Sequence, residues 1–206
     1  AKGVVQNLPD FGQEPYNWKH MPNICRSDAA QNIRDAVSHL MRDIGYACNM
    51  KYGANESGAY AYDAYLALIN HFDYAPSLRF VEQKYYTWAD WQKLLISELR
   101  AARPIYYGGT SEPGAQGGHA FVCDGYDGNG YFHFNFGWSG LANGYYLITN
   151  ILPTSFGIGA GSSGGYTYQA DAIIGFTAKP HYQGDTEVGN YNYSNIRIND
   201  TEKGET

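Results

Sequence analysis

The chain has 206 residues and a formal net charge of −6, with 20 tyrosines and 25 glycines. That length suffices for one substantial core, or for a core with a small appendage. Lysine and arginine are sparse and scattered, so a nucleic-acid or anionic-membrane surface has no electrostatic footprint, and no apolar run is long enough for a membrane span.

Both ends read as cuts in a longer polypeptide: residues 1–18 open with neither a helix cap nor a signal-peptide pattern, and the composition turns polar after Lys179-Pro180. The spacing of Ile33, Val37, Leu40, Met41 and Ile44 predicts a first helix, capped by Ser27 and stopped at Gly45. A shorter helix is predicted over Asp63 to Phe72. In TWADWQKLLISELRAAR, Thr87 and Asp90 resemble a capping box, Trp88, Trp91, Leu95 and Leu99 form an apolar face, and Pro104 forbids continuation.

From Pro104 onward the periodicity changes. PIYYGG, HAFVCDGY, YFHFNFGW, GYYLIT and ADAIIGFTAK are short, aromatic or β-branched, and separated by turn residues, which predicts a sheet and hence an α+β fold. PTSFGIGAGSSGGYTYQ reads as an unusually long surface loop, and residues 181–206 as a linker or the start of a following domain.

Asp127-Gly128-Asn129-Gly130 is a strong hairpin signal, which makes HAFVCDGY and YFHFNFGW antiparallel neighbours and brings His119 near Asn135. A two-residue turn would put those side chains on opposite faces; one extra loop residue or a bulge would restore them to the same face. On a shared face, the carboxamide could fix the imidazole tautomer and leave the other ring nitrogen as a base towards a thiol or hydroxyl. Gly117 and Gly118 would admit a substrate backbone, and Trp138 would shield the pair from water. The same spacing is also compatible with a hairpin whose histidine and asparagine merely satisfy backbone groups.

The string GGHAFVCDGYDGNGYFHFNFGWSGLANGYYLI resembles the His-Asn region of the streptopain family of papain-like cysteine peptidases. YNWKHMP, LMRDIGYACNMKYG and DWQKLLISELRAARPIYYGG before it and SFGIGAGSSGGYTYQADAIIGF after it resemble the family in the same order, so the likeness spans about residues 16 to 180. It implies a peptidase domain over 1–180, with helices followed by an antiparallel, barrel-like sheet. It also implies His119 as the catalytic histidine, Asn135 as the residue that orients it, and Trp138 as the indole packed over both. Phe136 stands where the family usually carries tryptophan, a departure that removes an indole N–H donor. The loop containing Gly161, Ser162, Ser163 and Gly164 would border the substrate cleft. The resemblance further implies a secreted bacterial enzyme made as a zymogen, with protein or peptide substrates and no metal or organic cofactor.

A pair of this kind needs a thiolate at a helix N-terminus, and no segment of the chain matches the family's cysteine motif. Cys123 lies four residues from His119 on one strand, roughly 13 Å away at about 3.3 Å per residue. Cys48 follows a helix end, where the dipole disfavours a thiolate, and Cys25 precedes a helix start but matches a non-catalytic part of the family. The expected partner is therefore a propeptide and cysteine-bearing segment of the same precursor, which leaves the chain inactive alone. Two other readings stay open: an inactive peptidase-like module that binds peptides or glycans, and a Cys-His amidase or transferase.

Overall fold

The computed structural model describes residues 16–54, 56–115, 118–157 and 164–178, with the backbone of 197–198. The first helix, α1, runs Gln31–Ala47, starting later than a Ser27 cap predicts. Residues 26–29 are spent in a turn, with the Ala29 N–H donating to the Arg26 carbonyl at 3.1 Å, and the Arg34 guanidinium donates to the Ser27 carbonyl at 2.9 Å. Gly45 does not stop the helix. The end comes at Cys48, where the Met50 N–H donates to Gly45 (2.9 Å), the Asn49 N–H to Tyr46 (3.2 Å), and Asn49 takes φ 55°, a Schellman turn.

The predicted apolar stripe of α1 is not its buried line. Ala36, Asp43 and Gly45 are buried, whereas Met41 is 64% and Ile44 36% exposed. The Asp43 carboxylate accepts from the Tyr16 hydroxyl at 3.0 Å and pairs with Arg42 at 2.7 Å, which compensates the cost of its burial.

A two-stranded ribbon, β1 (Lys51–Tyr52) with β2 (Ser57–Gly58), leads to α2, Ala61–His71. Strand β3, Arg79–Glu82, was not predicted. Helix α3, Trp88–Arg100, begins as the capping box requires, with the Thr87 hydroxyl oxygen accepting from the Asp90 N–H at 3.1 Å. The remaining strands are β4 (Ile105–Thr110), β5 (Gly118–Tyr126), β6 (Tyr131–Asn135), β7 (Gly144–Leu147), β8 (Tyr168–Ile174) and β9 (Arg197–Ile198).

The main sheet runs β3-β8-β4-β5-β6-β7, all neighbours antiparallel, with β9 beside β5 in parallel. Its order ends at β3 and β7, so the sheet stays open where a barrel-like closure was expected. Alternation sends Ile105, Tyr107, Phe121, Cys123, Phe132, Phe134, Ala172 and Ile174 to one face, against Trp91, Leu95 and Leu99 of α3. The other face packs Ile173, Leu78, Phe80 and Tyr106 against Leu68, Ile69 and Phe72 around α2.

One ion pair, between the buried Glu98 and the partly exposed Arg103, ties α3 to the sheet. Glu98, 5% exposed, accepts from Arg103 through both oxygens (2.6 and 3.0 Å) and from the Gly175 N–H at 2.9 Å, just beyond β8. Burial alone would raise the carboxyl's pKa, but the Arg103 and Gly175 bonds outweigh it and hold the group below its ordinary value. A depressed carboxyl contributes stability above its unfolded pKa and loses it as pH falls through the folded one. Arg103→Met, which strands the carboxylate, is expected to lower the unfolding free energy in urea by about 3–5 kcal/mol. The double variant Glu98→Gln/Arg103→Met is expected to recover part of that loss; an unchanged midpoint for the single variant would refute the coupling.

Candidate active site

The β5–β6 hairpin sets the geometry. The Asp127 N–H donates to the Tyr131 carbonyl at 3.0 Å, which leaves a three-residue loop, Gly128 to Gly130; the Asp127 carboxylate accepts from the N–H groups of Asn129 and Tyr131 at 2.8 and 2.9 Å. Such a loop alone would place His119 and Asn135 on one face. A bulge between Cys123 and Gly125 then shifts the pairing by one, so that Val122 lies opposite Asn135 and Cys123 opposite Phe134. The two irregularities cancel, and Asn135 points to solvent while His119 points towards the core face.

The bulge has a cause in the residue pattern. On β6, Phe132 and Phe134 face inward in a single phase that Phe136 continues, whereas the inward residues of β5 are His119, Phe121 and Cys123 and then, after two intervening residues, Tyr126. Asp124 and Gly125 absorb the change of phase. The Asp124 carboxylate takes the His133 Nδ1 at 2.5 Å, and His133 also meets the Tyr145 ring edge-on at 5.1 Å, so His133 serves the outer face as a cross-strand residue.

The imidazole of His119 is therefore held by backbone. Its Nε2 lies 2.7 Å from the Phe136 carbonyl oxygen, which corrects the expected bond to the Asn135 carboxamide. A carbonyl oxygen only accepts, so the proton resides on Nε2 and Nδ1 keeps the free lone pair. Asn135 acts on the same peptide from its other end: its Oδ1 accepts from the Gly137 N–H at 3.0 Å. Because the Phe136 carbonyl and the Gly137 N–H belong to one planar unit, the carboxamide orients the carbonyl that holds the imidazole. Since the contact comes from backbone, the Phe136 side chain in place of an indole leaves it intact.

Aromatic rings complete the surroundings. Trp138 stacks on His119 with centroids 4.7 Å apart, Phe136 stacks on Trp138 at 5.1 Å, and Tyr166 meets the imidazole at 5.4 Å. Neither Tyr166 nor Asn143, which accepts from the Phe136 N–H at 3.1 Å, was picked out in the sequence. A Cβ on Gly118 would come within 2.4 Å of the Gly109 carbonyl, so β5 starts against β4 only as glycine. A Cβ on Gly157 would come within 2.3 Å of the Trp138 ring, so the long loop leaves directly over the indole. Gly164 is exposed at the loop's far side, while Gly117, Gly161, Ser162 and Ser163 lie outside the described residues.

Two of the three cysteines sit in environments that disfavour a thiolate. Cys123 is fully buried in the core, and burial pushes its thiol far above the ordinary range. Cys48 is buried at the C-terminal end of α1 and is raised for the same reason, and Cys25 is exposed in the approach to α1, which packs on α2. Burial also lowers the His119 pKa, opposed by the Phe136 carbonyl, so the free base is favoured. A base lowered on folding contributes stability above its unfolded pKa and loses it as pH falls from there to the folded value. The NMR titration midpoint of His119 in this chain is expected below 6.5; a midpoint at or above it would contradict the burial argument.

The described residues hold no group of three or more His, Cys, Asp and Glu arranged for a metal ion. A model of the Peptidase C10 family matches residues 2–146. Over 166 residues the chain is 39% identical to the thiol protease/hemagglutinin PrtT of Porphyromonas gingivalis, covering 80% of this chain and 18% of that protein. Over 160 residues it is 32% identical to streptopain of Streptococcus pyogenes, covering 78% and 39%. Among solved structures, the active wild-type interpain A cysteine protease of Prevotella intermedia superposes with a TM-score of 0.70 at 32% identity, over 80% of this chain and 65% of that one. The chain thus spans less than half the length of these two curated relatives. With the family model covering most of its length, and the helix-then-sheet architecture shared with interpain A, the chain belongs to the Peptidase C10 family of streptopain-type cysteine peptidases.

Proposed function

We propose that this chain supplies the base-bearing half of a cysteine endopeptidase site, with the nucleophilic thiol contributed by a segment outside these 206 residues. The observation that carries the reading is the 2.7 Å bond from His119 Nε2 to the Phe136 carbonyl, which commits the proton to Nε2 and leaves Nδ1 unprotonated, able to act as a base. In the proposed cycle Nδ1 takes the thiol proton, and the thiolate adds to the peptide carbonyl carbon. The tetrahedral adduct collapses as the imidazolium protonates the leaving amine, giving a thioester. Water, deprotonated by the same nitrogen, then hydrolyses the thioester and returns the thiol.

The surroundings support this assignment. Trp138 covers one face of the imidazole and lowers water access to it. The two ends of the glycine-rich loop flank the same spot, with Gly157 against Trp138 and Tyr166 against His119, which favours a role for residues 157–165 as the substrate-side wall. A precursor form among the relatives, the mutant prointerpain A fragment (TM-score 0.66, 32% identity, 83% of this chain and 51% of that one), favours reading the chain as part of a secreted zymogen acting on proteins or peptides.

The test uses the full-length gene product. An epoxide-bearing peptide analogue is expected to label a cysteine outside these 206 residues, and His119→Ala to lower peptide hydrolysis by roughly 10²–10⁴-fold. Labelling at Cys25, Cys48 or Cys123, or full activity without the imidazole, would overturn the reading. Asn135→Ala, which removes the carboxamide from the Gly137 N–H while leaving the Phe136 carbonyl in place, is expected to cost only about tenfold.

A further inference from the structure

The connection from β6 to β7 is costlier in backbone terms than its length requires. Between Asn135 and Gly144 the chain makes a compact excursion in which two residues other than glycine, Ser139 (φ 54°) and Ala142 (φ 60°), adopt the left-handed conformation. Each such residue costs on the order of 1 kcal/mol or more, and that cost persists only where surrounding contacts enforce it. The enforcing contacts are visible: the Leu141 N–H donates to the Trp138 carbonyl at 2.9 Å, the Asn143 N–H to Gly140 at 3.3 Å, and the Tyr146 hydroxyl to the Ala142 carbonyl at 2.7 Å. What the excursion achieves is the return of the Asn143 side chain to Phe136, where its Oδ1 accepts from the backbone N–H at 3.1 Å.

That bond matters because of where it falls. The peptide unit after the Phe136 Cα is anchored by Asn135 through the Gly137 N–H, and the unit before it by Asn143 through the Phe136 N–H. With a side-chain hydrogen bond on each of the two planes flanking one Cα, rotation about φ and ψ of Phe136 is restrained, and with it the direction of its carbonyl. We propose that Asn143 is a positioning residue for His119: it acts through the Phe136 peptide to hold the carbonyl that keeps the proton on Nε2. The assignment rests on the peptidase reading for its functional meaning, although the effect on the imidazole is measurable without it.

Two-bond ¹H–¹⁵N correlations of the imidazole report which nitrogen carries the proton, and can be recorded on this 206-residue chain. The wild type is expected to show His119 protonated on Nε2. In Asn143→Ala the Nε2-protonated fraction should fall and the Nδ1 form should grow, with circular dichroism unchanged. Asn143→Asp, which keeps an oxygen acceptor at the same reach, should restore the wild-type spectrum. In the full-length gene product, Asn143→Ala should lower kcat about tenfold with KM unchanged. A folded Asn143→Ala chain with an unaltered His119 spectrum overturns the proposal. Should that variant unfold, Asn143→Ser, whose hydroxyl is too short to reach the N–H, takes its place; unfolding of both would make Asn143 a folding requirement and equally overturn the assignment. If the wild-type gene product hydrolyses no peptide, the peptidase reading falls, while the spectra still decide the role of Asn143.

Discussion

The hydrogen bond from His119 Nε2 to the Phe136 carbonyl is the constraint around which the site is organised. An imidazole in water samples both tautomers and turns freely about its side-chain bonds. Here one nitrogen is committed to an acceptor that cannot donate, and the ring lies under an indole, so only one lone pair remains for chemistry. A backbone carbonyl is a stiffer anchor than a side-chain amide, since its direction follows from two dihedral angles restrained by neighbouring peptides. The two asparagines act on those peptides, which makes the carboxamides adjust the imidazole at one remove.

The sheet supplies the rigidity this arrangement needs. His119 sits near the start of β5, and the core immediately behind it contains Phe121, Phe136 and Tyr166, all buried or nearly so. Rings in such contact leave few alternative rotamers, so the packing of the core sets the orientation of the imidazole. The Glu98–Arg103 pair and the capped α3 hold the opposite layer of that core in place. Burial that lowers the pKa of His119 also favours its free-base form, the form able to accept a proton from a thiol.

Much of this architecture was legible in residue patterns that follow local rules. Thr87 and Asp90 announced α3, alternation from Pro104 onward announced the strands, and Asp127 to Gly130 announced the hairpin. The bulge was also written in the chain, as the two-residue gap between the inward Cys123 and Tyr126, but it competes with the loop for control of register, and neither alone predicts the outcome. Their combination turned Asn135 outward and moved the bond to the backbone. The ends of α1 escaped for a related reason: a serine before an apolar run signals a cap only if the intervening residues are not already in a turn. Asn143 and Tyr166 carried no signal, because what brings them to the site is a left-handed loop and a strand pairing across the sheet.

The central claim, that this imidazole is the partner of a thiol, is tested most directly by the pH dependence of thiol alkylation in the full-length gene product. An imidazolium beside the sulphur keeps it ionised well below the ordinary cysteine range. The account predicts that the nucleophilic cysteine of the wild type reacts rapidly with iodoacetamide below pH 7, and that His119→Ala moves the reaction up to the range of an unperturbed thiol, about 8.5. Identical alkylation profiles with and without the imidazole would contradict it.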